Sequence, residues 1–502
     1  MTAARRATLI GAGLVGALLA TLLAQRGFTV EVFERRPDPR IHGFAGGRSI
    51  NLSLVERGLA PLRMAGLADA VLAQTVTMLG RMVHARDGST NLQRYGIDDS
   101  EVDHSVGRGD LNLMLLDAAA RAGVQLHFDA RLVAADLPAG AITLEDHAGT
   151  RRTHAAGLLF GCDGAGSALR AAMRAVAELG ERVEPLGHGY KELEIPAIKP
   201  SLRSRGEVPE GRKGGHLAAR SHAIPLPQPQ PSPASGRGGT TQNRGKASPR
   251  FALDANALHI WSRGNCMCIA LPNVAGNFTV TLFMPVAGTA PSFATLPDAA
   301  AARALFQRDF ADLLQHMPTF DGDWAAHPLG QLATLYLERW HVGGRALLLG
   351  DAAHAVVPFH GQGMNAGFED AAELATLLVA ASNDPAGVFA EFNARRKPDA
   401  DAIAQMSLAN YVEMRDGVTD PRYLLRRELG AALTARAPTH FMSRYRMVSF
   451  TSIPYATCIA RERAQAAFMD RLLGTRATLA GIDLDDAAAQ ARNTLQPLTD
   501  RT

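Results

Sequence analysis

The sequence predicts an α/β fold made of a parallel-sheet domain, a β-sheet domain and a helical C-terminal region. Three observations predict it. Residues 6–35, "RATLIGAGLVGALLATLLAQRGFTVEVFER", run strand, glycine turn, helix, strand, which is one βαβ unit of the Rossmann-like kind. Short apolar runs bounded by turn residues recur from about 76 to 99 and again from 251 to 285. From about residue 371 the chain is Ala-rich and helical in pattern almost to its end.

The elements between follow in order. "LVERGLAPLRMAGLADAVL" (54–72) is helical, and "GRMVHARDG" (80–88) and "TNLQRYGID" (90–98) are strand-like. A helix returns at "RGDLNLMLLDAAARAG" (108–123), then strands at "VQLHFDARLVAADL" (124–137) and "GAITLEDHAG" (140–149). "AAGLLFGCDGAGSALRAAM" (155–173) is strand, glycine turn and helix. Three strands are expected in 251–285: "FALDA", "HIWSRGNCMCIALPN" and "NFTVTLFMP". Residues 293–320 are helical, and "RALLLGDAAHA" (345–355) opens on a buried strand.

Composition is that of a globular protein, 47% hydrophobic and 20% charged. Four cysteines (Cys162, Cys266, Cys268, Cys458) are too few for a disulfide framework and fit a reducing compartment. The C-x-C pair lacks two further ligands nearby, so buried thiols are expected and no metal site. No run of about 18 apolar residues marks a membrane span. Residues 199–250 carry ten Lys/Arg against two Asp/Glu, a net +8. Subtracting that from the total of +3 leaves −5 for the rest, so the basic balance is local and nucleic-acid binding is not expected. The same stretch holds eight prolines and no helical or strand period, and is expected to be a disordered insertion.

The chemistry sits in glycine-rich turns. "GAGLVG" (11–16) follows a strand and opens a helix. Gly11 permits the turn, Gly13 lets a pyrophosphate approach the backbone, and Gly16 lets helix and strand pack closely. Glu34, ending the next strand, is placed to accept hydrogen bonds from a ribose. "GCDGAGSALR" (161–170) sets Asp163 in a second glycine turn. "LGDAAHAVVPFHGQGMNAGFED" (349–370) sets Asp351 in a third, where Pro358 and the glycines delay any helix until about Met364. Such a backbone suits close approach to a flat, polar ligand.

With these three turns in this order, the chain resembles the flavoprotein aromatic hydroxylases, the single-component FAD monooxygenases, from end to end apart from 199–250. The resemblance implies a Rossmann-like FAD-binding domain in discontinuous pieces (1–75, 100–185, 330–375). It implies a β-sheet substrate domain (76–99 and 186–329) and a C-terminal helical region (376–502). It implies that Asp351 binds the ribityl chain and that Gly361, Gly363, Met364 and Asn365 line the flavin ring. Val15, Arg35, Arg108, Leu132 and Asp163 are implied as further cofactor contacts. Only one dinucleotide fingerprint is present, which fits NADPH as a transient co-substrate beside bound FAD.

"GRSINLSLVERGL" (47–59), "YKELEIP" (190–196), "LHIW" (258–261), "VPFHGQGMNAGFED" (357–370) and "NYVEMRD" (410–416) narrow the likeness to the branch of this family that acts on L-kynurenine. Carried over by position, Arg81, Tyr95, Asn365 and Tyr411 hold the amino-acid end of that substrate, where a guanidinium suits a carboxylate. The reaction so implied consumes NADPH and O2 and yields 3-hydroxy-L-kynurenine, in tryptophan degradation. A flavin C4a-hydroperoxide carries the chemistry and no side chain acts as a nucleophile. His360 stands where other members have Phe and is given no acid–base role; His354 is read as structural. Another hydroxylase of the same fold and a non-catalytic flavin-binding scaffold stay open as alternatives. The C-terminal stretch is interrupted by charge, where eukaryotic members carry an apolar anchor, so a soluble, cytoplasmic, bacterial-type protein is expected.

Overall fold

A computed structural model describes residues 5–43, 51–198, 250–381, 383–416 and 421–498. The expected insertion lies outside the described residues save Arg250, whose carbonyl accepts the N–H of Ile198 at 3.0 Å.

The glycine turns all hang from one sheet. Its six strands lie in the order His341–Val342, Ala346–Leu348, Leu158–Gly161, Arg6–Ile10, Thr29–Phe33, Gln125–His127. All pairs are parallel except the first. Strands covered on both faces read as unbroken apolar runs, and Ala7, Thr8, Leu9 and Ile10 are all buried. The helix Leu14–Ala24 is apolar nearly all round because it is packed between the sheet and the helices Arg108–Arg121 and Gly363–Ala380. Gly367 permits that contact: a Cβ there would stand 2.6 Å from Val15 Cγ2.

A second sheet has seven strands, in the order Gly330–Tyr336, Arg182–Ile195, Phe278–Pro285, Met267–Pro272, Ala257–Ser262, Gly80–His84, Thr90–Arg94. One face packs on the helices Ala299–Asp309 and Phe320–Ala326 through Trp261, Phe278, Phe306, Phe310 and Phe320. The alternate residues of the same strands, among them Met267 and Phe283, point the other way, toward Phe359. Two expectations are corrected here. "FALDA" is not a strand, and "HIWSRGNCMCIALPN" is a hairpin whose arms pair antiparallel across the turn at Gly264 (φ 73°). The fourteen-residue strand Arg182–Ile195 has no clean apolar alternation, since it carries charges on a partly exposed face and shifts register between Pro185 and Gly189.

A small sheet, Asn51–Leu54, Asp103–Gly107 and Val76–Met78, bridges the two. Asn51 Nδ2 donates to Ser105 Oγ at 3.0 Å and to Pro272 O at 2.9 Å, stitching it to the seven-stranded sheet. Buried arginines dock the C-terminal helices, Arg57 with the most partners. Arg57 is 2% exposed, donates to the carbonyls of Val448 (2.6 Å), Met447 (3.2 Å) and Ile453, and pairs with Glu369 at 2.9 Å. Among the described residues no helix is long and apolar enough to cross a membrane. All four cysteines are buried and free.

Candidate functional site

A cavity of about 480 Å³ runs from the first glycine turn to the seven-stranded sheet. At one end Gly11 adopts φ 100°, and a Cβ there would stand 2.5 Å from Cys162 O, so only glycine lets the first and second glycine turns touch. A Cβ on Gly16 would lie 2.1 Å from Gly11 O, while the Gly13 position is open toward the cavity. The helix Leu14–Ala24 points its N-terminus here with no acidic residue in its first turn, a ready anion site. Glu34 braces this turn: its Oε2 accepts the Ala12 N–H at 2.9 Å and its Oε1 that of Arg36 at 3.1 Å. Val15 lines the cavity, Arg35 is exposed beyond the strand end, and Leu132 is buried in the core beside the sheet.

The second and third turns close on the same space. Asp163 accepts from Ser167 Oγ and the Ala168 N–H, both at 2.6 Å, and so fixes the start of the helix Ala168–Arg174. Asp351 lines the cavity at the first position of the short helix Asp351–His354, as does Arg108 at the start of its helix. Behind Asp351 the fully buried Asp370 accepts the Gly350 N–H (3.0 Å), His354 Nε2 (2.6 Å) and Arg396 Nε (2.7 Å). Burial would raise this carboxyl, but His354 and Arg396 outweigh it and hold it well below the usual range. Gly361 (φ 69°), Gly363 and Met364 then line the cavity where the helix Gly363–Ala380 begins. Asn365 is buried and braces the loop, donating to Ser53 O at 2.9 Å and Gly361 O at 3.0 Å.

The far end is polar on an otherwise apolar wall. The Arg81 guanidinium lies 4.9 Å from the ring centre of Tyr445 and 5.8 Å from that of Tyr95. Those two rings stack at 4.7 Å, and His360 also stacks on Tyr445, at 5.6 Å. Burial works against the Arg81 charge, but the two phenols and Asp103 outweigh it and keep the group protonated. Asp103 Oδ2 accepts the hydroxyls of Ser53 (2.5 Å) and Tyr445 (2.6 Å). Burial pushes its carboxyl up to about 6, against the pull of those hydroxyls and Arg81. Burial, helped by Arg444, pushes His360 down to about 3, so its ring is neutral. Leu258, Met267, Ile269, Phe283, Leu332 and Phe359 complete the apolar wall.

A family model described as "FAD binding domain" matches residues 6–188 and 312–407. The chain is 49% identical over 495 residues to kynurenine 3-monooxygenase of Xanthomonas axonopodis pv. citri, covering 98% of both chains. It is 48% identical over 464 residues to the enzyme of that name in Stenotrophomonas maltophilia, covering 92% of this chain and 91% of the relative. The chain belongs to the kynurenine 3-monooxygenase family. It is an FAD-dependent monooxygenase of the aromatic-hydroxylase type. Two solved structures share the fold. Pseudomonas aeruginosa PqsL in complex with 2-aminobenzoylacetate has a TM-score of 0.59 at 19% identity, covering 82% of this chain and 97% of that one. Tetrameric 2-methyl-3-hydroxypyridine-5-carboxylic acid oxygenase has 0.57 at 19%, covering 84% and 95%.

In this kynurenine 3-monooxygenase family member the cavity gathers Gly13, Val15, Arg108, Asp351, Gly361, Gly363 and Met364 with Arg81 and Tyr95. Gly11, Gly16, Glu34 and Asp163 stand behind it as braces of the turns. Tyr411 packs against Phe359 at 4.3 Å and edge-on to His188 at 5.2 Å, one layer behind the lining. Ser53, Asp103 and Tyr445 escape the sequence reading. Nothing in "RYRMVSF" marks Tyr445, because only the docking of the C-terminal helices brings it to Asp103, 342 residues away.

Proposed function

We propose that the protein hydroxylates L-kynurenine to 3-hydroxy-L-kynurenine, consuming NADPH and O2. The observation that carries this reading is a buried guanidinium beside two stacked phenols at one end of the cavity, with the first glycine turn at the other. The names of the relatives support it. The turns suit FAD: the crowding at Gly11 and Gly16 leaves room for backbone only, beside an open Gly13 and a helix N-terminus.

In this reading Gly11–Gly16 and the helix after them hold the pyrophosphate, Glu34 faces the adenosine ribose, and Asp351 holds the ribityl chain. Arg35, Arg108, Leu132 and Asp163 complete the cofactor's surroundings. Gly361–Asn365 lie along the flavin ring, where the first N–H groups of the helix favour negative charge. Bound FAD supplies the redox and oxygen-transfer chemistry. Arg81 receives the substrate carboxylate through a charge-assisted pair, flanked by the Tyr95 and Tyr445 hydroxyls. Asn365 and Tyr411 support this end from behind, through Ser53 and Phe359. The apolar wall takes the aromatic ring and keeps water out. His360, neutral at working pH, offers no proton.

The test is NADPH oxidation with and without L-kynurenine, with product analysis. The expected result is oxidation stimulated by kynurenine, with 3-hydroxykynurenine formed. A flavin-loaded protein showing neither would end this reading.

A further inference from the structure

Asp103 is a second charge in the cavity, and no step above uses it. It lies on the bridging strand Asp103–Gly107, is 2% exposed, and lines the cavity with Arg81. Both hydroxyl donors, Ser53 and Tyr445, go to Oδ2. Oδ1 has no hydrogen-bond partner and is shut off from solvent. Arg81 acts on Asp103 as a nearby charge and lowers its carboxyl against the larger effect of burial. An orphaned carboxylate oxygen in a dry site is costly unless a donor arrives. His360 is neutral and cannot supply the missing positive charge.

An α-amino acid carries a carboxylate and an ammonium on one carbon. A buried cation and a buried, half-satisfied anion lining one end of a cavity are the complement of that pair. The torsion that turns a carboxylate is broad and two-fold, so either oxygen can face a ligand while the other keeps the hydroxyls. We propose that Asp103 receives the α-ammonium of the substrate, so that this end of the cavity reads a zwitterion and rejects a simple carboxylic acid. The proposal rests on the kynurenine reading above and adds the residue that selects an amino acid. Ser53 and Tyr445 are positioning residues in it, because they hold Oδ2 and so orient the carboxylate.

The experiment is equilibrium titration of the oxidised, FAD-loaded protein, followed by the flavin absorbance and without NADPH. One ligand is L-kynurenine. The other is 4-(2-aminophenyl)-4-oxobutanoic acid, which keeps the aryl ketone and carboxylate but lacks the α-amino group. The wild-type protein is expected to prefer kynurenine by roughly tenfold or more. Asp103→Asn is expected to lose most of that preference by weakening kynurenine alone, leaving the affinity for the analogue within about twofold. Loss of affinity for both ligands together would mean that Asp103 only supports the fold, and would overturn the proposal. So would an unchanged preference in Asp103→Asn. Should that variant fail to fold, the wild-type protein decides: equal affinity for the two ligands overturns the role of Asp103 while leaving kynurenine as substrate. Wild-type protein that binds neither ligand overturns the kynurenine reading itself, and the zwitterion proposal falls with it.

Discussion

Arg81 sits on a strand with an intermediate exposure that comes from the cavity and not from the outer surface. Its guanidinium lies beside the stacked rings with the Tyr95 hydroxyl as a partner, and its remaining N–H donors are left for a ligand. The Arg81→Ala variant is therefore expected to raise KM for kynurenine roughly tenfold to a hundredfold, the loss of one charge-assisted contact of about 1.5–3 kcal/mol. FAD content, read from flavin absorbance, is expected to stay unchanged, because the glycine turns lie at the other end of the cavity. An unchanged KM in a folded, flavin-loaded variant would remove the carboxylate clamp. From sequence alone Arg81 is an ordinary strand arginine; its place beside Tyr95 and Tyr445 comes from a stack whose members lie 350 residues apart in the chain.

Among elements, the first glycine turn is the most legible and the least tolerant. Its spacing follows from backbone crowding: the Gly16 Cα faces Gly11 O, and any Cβ would come within 2.1 Å of that oxygen. Gly16→Ala is expected to weaken FAD binding strongly and to destabilise the protein by about 1–3 kcal/mol. Thermal unfolding and the flavin content of purified protein check both; normal values for each would mean that the helix can draw back without consequence. The strand Arg182–Ile195 is illegible for the opposite reason. Its first four residues are all exposed and burial begins only at Gly189, while Pro185, Gly187 and Gly189 sit at a break in register, so no period-2 signal runs its length. The hairpin at Gly264 was legible in principle, because the polar, glycine-bearing "SRGN" (262–265) separates its two apolar arms.

At the scale of the whole molecule, Arg57 ties the helices Glu56–Met64 and Gly363–Ala380 to the C-terminal region that carries Tyr445. Its three carbonyl acceptors include Met447 and Val448, in the helix Arg444–Phe450 itself. Removing the arginine leaves Glu369 and those carbonyls without their shared donor, a loss of about 3–5 kcal/mol for a buried charged group. Arg57→Ala is thus expected to lower the thermal midpoint and also to raise KM for kynurenine, because Tyr445 loses its support. A stability loss with KM unchanged would show that Arg446, paired through two hydrogen bonds with Glu101 at 2.7 and 2.6 Å, holds the helix by itself.

The βαβ unit, the three glycine turns and the family were all legible in the chain. These are local features: a turn that admits only glycine, or a strand buried on both faces, writes its constraint into neighbouring residues. The arrangement of the amino-acid end is not local. Ser53 comes from the bridging sheet, Arg81 and Tyr95 from the edge of the seven-stranded sheet, and Tyr445 from a C-terminal helix. Each satisfies an ordinary pattern where it stands. Only packing three parts of the chain around one cavity leaves Asp103 buried with two hydroxyls on one oxygen and none on the other, because hydrogen-bond satisfaction depends on every group that surrounds an atom and not on its neighbours in sequence.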